Sequence, residues 1–307
     1  SELDRLAQQM KKAGLDYGAA LCYRENERLE EAIHCLLQAD RILEAASLYA
    51  DRALGLFQSG MYVYDFLEAA WPRVRDMETG LLCLSRLASI MPTFVSRPTH
   101  SMPIPPAVVA QCEQWLKGPL PAHLQEPAYT VFHRLRGLLE VDVQIEICET
   151  HGWMDILQNI LEMHISCNDS MRRRLQQEAE ALARQGQWER AGVRFLALRM
   201  SKQARACFRP VPATPYNAHC LALAGFERRA LRMLSPEERA SMLRWIYYLK
   251  GPKKAYQFCL RTKYLAEGAR FFARRRQYQY AIELYERAGQ PKQAQRLRVR
   301  LPKSASA

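Results

Sequence analysis

Four side chains of the kind that bind metals occur as two close pairs in the middle of the chain. Cys148 and His151 are separated by two residues, His164 and Cys167 repeat that spacing, and twelve residues lie between the pairs. Zinc prefers four nitrogen and sulfur ligands with short spacing inside each pair, so this order of residues could form a zinc site. The residues from Ile156 to His164, however, have the apolar spacing of a continuous helix, which would hold the pairs apart. We therefore expect a buried Cys148 thiol, a half-buried His164 and no metal or other cofactor.

Short basic clusters in the second half of the chain could bind a polyanion. They comprise Arg172, Arg173, Arg174, Arg228, Arg229, Lys253, Lys254, Arg274, Arg275 and Arg276. Aromatic residues are interleaved with them, namely Trp245, Tyr247, Tyr248, Tyr264 and Tyr280. Clusters of this composition can neutralise phosphates and stack on bases. Many of the aromatic residues also fall at helix-packing positions, which favours a place in the core for most of them.

The charge of the chain is divided unequally. Residues 1–170 carry 14 Lys and Arg against 23 Asp and Glu, a net charge of −9, whereas residues 171–307 carry 30 against 9, a net charge of +21. A charge this large on under half of the chain attracts polyanions. We predict an acidic partner, which could be a protein segment such as a tubulin-like tail, nucleic acid or an anionic membrane surface. The acidic half of the chain could also match the charge.

Motifs that mark common catalytic sites are absent from the sequence. It contains no G-x-S-x-G, no H-E-x-x-H, no phosphate-binding G-x-x-x-x-G-K-[ST] loop and no G-x-G-x-x-G. Adjacent carboxylates such as Glu30 and Glu31 point in different directions on a helix and suit solvated positions. We therefore predict that the chain is not an enzyme and has no catalytic residues.

The elements that would position these residues follow a spacing pattern that occurs three times. Its centres are Ala32, Ala191 and Ala281. A second alanine lies twelve residues before each centre and a third lies thirteen residues after it, namely Ala20 and Ala45, Ala179 and Ala204, and Ala269 and Ala294. Small residues where helices touch, with large apolar residues in the gaps between them, are typical of stacked short helices. At roughly ten residues each, such helices are too short to be stable alone.

Proline distribution divides the chain into segments. Residues 92–127 carry eight of the sixteen prolines, which exclude helix interiors and leave room for one short helix near 107–116. We predict N-terminal helical repeats over 1–91, a proline-rich insertion or hinge over 92–127, basic C-terminal helical repeats over 128–301 and a disordered tail over 302–307. The predicted fold class is all-α, a superhelix or solenoid of short antiparallel helix pairs.

The cellular location is suggested by the cysteines and by the apolar runs. Nine cysteines, an odd number scattered through helical patterns, suit buried thiols in a reducing compartment. We expect an intracellular protein, with the cytoplasm favoured over the nucleus. No apolar run approaches the roughly 18 residues of a membrane span, and the N-terminus has neither Met nor an apolar signal, so we expect an internal part of a longer protein.

The repeats resemble tetratricopeptide repeats in about half of the chain. Two sets of residues resemble the second helix of that family, namely Ala191, Phe195 and Leu198, and Ala281, Tyr285 and Ala288. Its first helix is resembled in two places, by Ala179 with Leu182 and by Ala269 with Phe272. Trp188 and Tyr278 stand where the family often carries an aromatic residue. The stretches AIELYERAGQPKQAQRL and AGVRFLALRMSKQARACF look similar to helical repeats of vesicle-coat and intraflagellar-transport proteins. Spacings of 12–13 residues and a missing terminal proline depart from the strict family.

The resemblance implies a scaffold. Members of these families mostly assemble protein complexes, and similar repeats also occur attached to large helicase-like proteins. We therefore expect a non-enzymatic helical-repeat scaffold that mediates protein–protein interaction within a larger multidomain protein or complex, with a basic C-terminal half for an acidic partner. The alternative is a nucleic-acid-binding helical module that is accessory to a helicase-like enzyme.

Overall fold

The computed structural model describes residues 1–55, 63–94, 104–165 and 169–300. All regular structure in these ranges is helical, with twenty α-helices, three short 3-10 helices and no strand. The prediction of an all-α fold is confirmed. Within the same ranges, no helix has both the length and the apolar character that crossing a membrane would need.

Contacts divide the chain into two compact units, Ser1–His151 and Gly152–Ala307. The helices of the first unit are α1 (Glu2–Lys12), α2 (Asp16–Glu25), α3 (Leu29–Gln38), α4 (Ile42–Gly55), α5 (Val63–Ala70), α6 (Met77–Leu87), α7 (Pro106–Lys117), α8 (Gln125–Leu135) and α9 (Val141–His151). Those of the second unit are α10 (Met154–Ile165), α11 (Asp169–Arg184), α12 (Trp188–Ala197), α13 (Ser201–Phe208), α14 (Ala218–Leu223), α15 (Glu227–Met233), α16 (Pro236–Lys250), α17 (Pro252–Thr262), α18 (Leu265–Arg274), α19 (Tyr278–Arg287) and α20 (Pro291–Arg298).

The proline-rich segment is partly helical. Pro105 caps α7 and Pro106 is its first residue, where the missing N–H of proline costs no helix hydrogen bond. The short helix expected near 107–116 is thereby confirmed. Residues 95–103 of the predicted insertion 92–127, and the predicted tail 302–307, lie outside the described residues. The boundary between the two units falls inside the predicted segment 128–301.

One type of turn joins the short helices and sets their spacing. In each such turn one residue adopts a left-handed conformation, at Gly14, Glu27, Asp40, Gly186, Arg199, Gly225, Lys263, Arg276 and Gly289. The next residue donates its N–H to a carbonyl five positions earlier, as Leu15 does to Met10 at 2.9 Å, which satisfies the end of the preceding helix. Because a helix of about ten residues and this turn fill about thirteen positions, the alanines within each occurrence of the pattern lie twelve or thirteen residues apart.

The alanines of the pattern lie at helix contacts. Every one of the nine is at most 2% exposed, including Ala32, Ala191 and Ala281 at 0%. In the second unit Ala179, Ala191 and Ala204 form one core cluster with Phe195 and Cys207. These residues belong to α11, α12 and α13, which pack in sequence. Small residues allow the helix backbones to approach closely, so the predicted packing role of the alanines is confirmed.

Trp188 departs from the packing pattern. The spacing places it among the large residues that fill gaps between helices, yet 44% of its surface is exposed. It is the first residue of α12 and lines a cleft of about 370 Å³ with Gly186 and residues 210–212. A helical side chain covers the turn that precedes its own position. For Trp188 the neighbouring element is the irregular proline segment 210–212, and no described helix covers the ring fully.

Helix α16 begins with a capping box. Ser235 Oγ accepts the N–H of Glu238 at 3.3 Å, and the Glu238 carboxylate accepts the N–H of Ser235 at 2.7 Å. Pro236 occupies the first helical position. This capping box satisfies two of the backbone donors that a helix N-terminus leaves unpaired.

Candidate functional site

The two units differ in net charge. The first unit carries 14 Lys and Arg against 20 Asp and Glu, a net charge of −6, and the second carries 30 against 12, a net charge of +18. Residues 227–300, from α15 to the end of the described chain, hold 19 Lys and Arg and six Asp and Glu. The candidate site is therefore on the second unit, which contains all ten of the predicted basic residues.

The first basic cluster lies on α11. Arg172, Arg173 and Arg174 are exposed, whereas Leu175 and Ala179 of the same helix are buried. Arg174 Nε lies 3.4 Å from Glu178 Oε1 on the next turn of the helix, so its charge is partly matched. No ion pair involves Arg172 or Arg173 within the described part of the chain, which leaves both charges available to a partner.

The two arginines of α15 have different roles. Arg228 is exposed, and its Nε donates to the carbonyl of Arg261 at 2.6 Å at the end of α17. Arg229 is half-buried and donates to the carbonyls of Phe208 at 3.4 Å, of Arg209 at 3.2 Å and of Val211. Arg229 thus satisfies carbonyls that α13 leaves unpaired at its C-terminus, which is a structural task.

Lys253 and Lys254 occupy the first turn of α17, directly after Pro252. Both are exposed, and neither forms an ion pair with another described residue. Cations at a helix N-terminus are electrostatically unfavourable because the helix dipole places partial positive charge there. The two lysines therefore do not stabilise α17 through their charge, and they add to the positive field of this surface.

The last cluster is split between packing and surface. Arg275 is half-buried over the ring of Phe271, at 3.8 Å from the centroid, and its Nη2 lies 3.4 Å from the Tyr248 hydroxyl. Arg274 and Arg276 on either side of it are exposed. Successive residues leave a helix end in different directions, so only the middle arginine of the three contacts the aromatic core.

Several of the interleaved aromatic rings pack against other rings. Tyr247 meets Phe271 edge-on at 5.4 Å, and Tyr280 stacks with Tyr256 at 4.8 Å. Tyr248 differs, since 70% of its surface is exposed. The side chain of Trp245 lies outside the described residues. Tyr247, Tyr264 and Tyr280 are half-buried, so the expectation that most of these aromatics fill the core is not confirmed by the described side chains.

A cleft in the second unit collects cations from several elements. It has a volume of about 520 Å³ and is lined by Arg228, Leu231, Arg232, Arg239, Thr262, Lys263, Tyr264 and Glu267. We call this the basic cleft, because four cations and one carboxylate line it. It is formed by α15, the first turns of α16 and the turn between α17 and α18.

Only Arg228 of these cations belongs to the clusters that the sequence indicated. Arg232, Arg239 and Lys263 are single basic residues in their stretches, so cluster searching passes over them. One signal was available, since Arg228 and Arg232 are four residues apart and share a face of α15. The contributions of Arg239 and Lys263 depend on how α16 and α17 pack, which no local pattern indicates.

The two pairs of possible metal ligands belong to different units. Burial raises the pKa of the Cys148 thiol, and His151 Nε2 lies 2.6 Å from the carbonyl oxygen of Leu116, so both groups are engaged inside the first unit. His164 is half-buried on α10 of the second unit, and Cys167 lies outside the described residues. Within the described ranges, no three His, Cys, Asp or Glu side chains come together in a way that could hold a metal ion.

Burial makes the thiols of the other described cysteines poorly reactive. Those in the described residues are buried and free of disulfides. Burial raises the pKa of Cys83 and of Cys259 to about 12, so both thiols stay protonated at neutral pH. Protonated thiols are poor nucleophiles, which agrees with a packing role.

Comparisons of this chain with protein-family models, with curated proteins and with solved structures gave no match.

Proposed function

We propose that this chain is a non-enzymatic helical-repeat scaffold, a tetratricopeptide-like solenoid within a larger multidomain protein or complex, whose second unit binds an acidic protein partner. The observation that carries the proposal is the excess of exposed cations in that unit. Buried thiols suit a reducing compartment, so we also propose an intracellular and mainly cytoplasmic location.

The packing order of the helices supports the solenoid. Most helix contacts among the described residues join first or second neighbours along the chain, as between α15 and α17 and between α17 and α19, and α10 also contacts α14. Contacts mainly between near neighbours along the chain are what stacked repeats need. Repeats of this kind present extended surfaces to partners, which fits a role in assembly.

The state of the predicted basic residues supports the acidic partner. Seven of the ten are exposed and form no ion pair in the described chain, namely Arg172, Arg173, Arg228, Lys253, Lys254, Arg274 and Arg276. Unmatched like charges repel each other and destabilise a compact unit. These exposed charges therefore do not stabilise the fold of the second unit. They can instead attract an anionic partner.

An affinity experiment tests the proposal. The purified chain is immobilised and incubated with a nuclease-treated cell lysate, and a captured protein is then purified and titrated against the chain at 0.1 and 0.3 M salt, roughly the range in which screening of exposed charges changes. A variant with Arg172, Arg173, Arg274 and Arg276 changed to Glu reduces the positive field of the second unit and should bind the partner more weakly. A matched variant with Arg5, Lys11, Lys12 and Arg75 of the first unit changed to Glu should keep it.

Binding through a helical groove includes apolar anchors, so affinity for the purified partner should survive the higher salt in part. Capture of no protein after nuclease treatment would contradict the scaffold. Equal loss in the two charge-reversal variants would contradict the assignment of the partner to the second unit.

A nucleic-acid-binding module is the second candidate, accessory to a helicase-like enzyme. The exposed ring of Tyr248 beside Arg275, with Arg274 and Arg276 nearby in sequence, offers one stacking position among cations. This candidate predicts binding of single-stranded RNA that weakens steeply with salt, in proportion to the phosphates contacted. Undetectable RNA binding at low salt would exclude it.

A further inference from the structure

Two of the four cations of the basic cleft are fixed by hydrogen bonds inside the chain. Arg228 and Arg239 each use only Nε inside the chain, donating to the carbonyl of Arg261 at 2.6 Å and to that of Leu234 at 2.9 Å. These bonds fix the guanidinium groups, and the Nη atoms of both have no partner among the described residues. Guanidinium groups fixed in this way lose little entropy when they bind a carboxylate.

Arg232 and Lys263 are the free cations of the same cleft. Both are exposed, and neither side chain makes a hydrogen bond or an ion pair within the described ranges. Lys263 is also left-handed, with φ of 59°, a conformation that a glycine would adopt with less strain. The cation at this position is thus kept despite a conformational cost, while Gly14, Gly186 and Gly289 fill equivalent turns.

The remaining walls of the cleft suit a peptide better than a nucleic acid. Leu231 is buried and supplies an apolar floor, while Tyr264 is half-buried with a hydroxyl whose pKa is raised by burial, so it stays a donor at neutral pH. Glu267, whose Oε1 lies 3.3 Å from Arg270, places a carboxylate in the wall. A carboxylate accepts backbone N–H groups, which a peptide has and the RNA backbone lacks.

We infer that the basic cleft is the docking site for an acidic peptide segment of the partner, with glutamate or aspartate carboxylates bound by Arg228, Arg232, Arg239 and Lys263. This inference rests on the proposed scaffold function and locates its partner site. The volume of about 520 Å³ lies within the range of ordinary ligand sites and accommodates a few side chains. Charge complementarity selects the occupant, since four cations face one carboxylate.

The test uses a fluorescein-labelled decamer of glutamate and the complete chain. Binding is followed by fluorescence anisotropy for the wild type, for a cleft variant with Arg232→Gln and Lys263→Asn, and for a control variant with Arg274→Gln and Arg276→Asn. Both variants remove two exposed positive charges, one near a helix C-terminus and one at a left-handed turn position. Asparagine tolerates the left-handed conformation, so both variants should keep the wild-type circular dichroism.

The dissociation constant should rise about tenfold or more in the cleft variant, because two charge-assisted contacts are lost. It should rise less than about threefold in the control, which loses only screened long-range attraction. Equal weakening in both variants would mean a diffuse field and would overturn the cleft, leaving the scaffold intact. Tighter binding of a labelled decauridylate, lost in the cleft variant, would assign the cleft to nucleic acid. No binding of decaglutamate to the wild type would overturn the cleft, and the capture experiment then judges the scaffold separately.

Discussion

The side-chain amide of Asn217 donates a hydrogen bond to Glu189 Oε1 at a distance of 2.5 Å. This bond connects the proline segment before α14 to the start of α12. The same Nδ2 donates to the carbonyl of Pro212 at 2.9 Å, and Oδ1 accepts the N–H of Thr214 at 2.8 Å. Asn217 is 0% exposed. Burial raises the pKa of Glu189, and the bond from Asn217 lowers it again in part. One buried amide therefore closes the loop and satisfies a half-buried carboxylate.

Removal of this amide should destabilise the second unit. In Asn217→Ala the Glu189 carboxylate and the Pro212 carbonyl lose their donor in a buried setting, which costs about 1–3 kcal/mol in the free energy of unfolding. Urea denaturation followed by circular dichroism measures the change. Gln203→Ala, at an exposed position of α13, is the control and should stay within about 0.5 kcal/mol. A loss for Asn217→Ala no larger than that of the control would contradict the role of the amide.

Asp155 should make the stability of the second unit depend on pH. Its carboxylate accepts the backbone N–H groups of His219 at 3.1 Å and Cys220 at 2.9 Å, and burial raises its pKa from 3.8 to about 6. The folded chain therefore binds a proton that the unfolded chain has released, and stability falls as pH rises from about 4 to about 6. An asparagine at this position stays neutral. The stability of Asp155→Asn relative to wild type should thus rise by about 1–3 kcal/mol between pH 4 and pH 7.

The measurement is urea denaturation at a series of pH values, together with carbon-13 NMR titration of the Asp155 carboxyl carbon. The imidazole of His219 is another titratable group beside Asp155, so the comparison is repeated in a His219→Gln background. A relative stability of Asp155→Asn that falls or stays constant over this interval would show that burial does not dominate at this carboxylate.

Two equivalent turn positions should respond in opposite directions. Gly186 and Arg199 are both left-handed, with φ of 74° and 60°. A Cβ at Gly186 would meet nothing within 4 Å, so Gly186→Ala carries only the conformational cost and should lower stability by about 1 kcal/mol. Arg199→Gly relieves that cost and should raise stability by up to about 1 kcal/mol. Its only described ion pair, with Glu162 at 3.9 Å, is exposed and contributes little. Changes of the same sign in the thermal unfolding of both variants would contradict the shared turn.

Neighbouring arginines should separate a packing role from a surface role. Arg275→Ala removes the cation over Phe271 and should lower the free energy of unfolding by about 1–2 kcal/mol. Arg274→Ala should change it by less than about 0.5 kcal/mol, since that side chain is exposed. Thermal denaturation of both variants provides the comparison. Equal effects would show that the contact with the ring contributes nothing measurable.

The helical architecture follows from local patterns that a sequence displays directly. The spacing of Ala179, Ala191 and Ala204 marks the helix contacts, because only small side chains allow short helices to approach closely. The capping residues at Ser235 and Pro236 fix the start of α16 through bonds inside one turn. Trp188 shows the limit of the pattern, since its surroundings include the irregular segment 210–212, which is distant in sequence.

By itself the sequence determined the helices, the period of their turns and the sign of the charge on each part of the chain, because these depend on neighbouring residues and on composition. Tertiary structure decided which cations remain free and which of them meet. Arg229 turns inward to carbonyls at the end of α13 and Arg275 to rings of α16 and α18, whereas Arg232 of α15 and Lys263 of the turn after α17 line one cleft. That difference arises because the direction of a side chain is fixed locally, while its surroundings are set by the packing of elements distant in sequence.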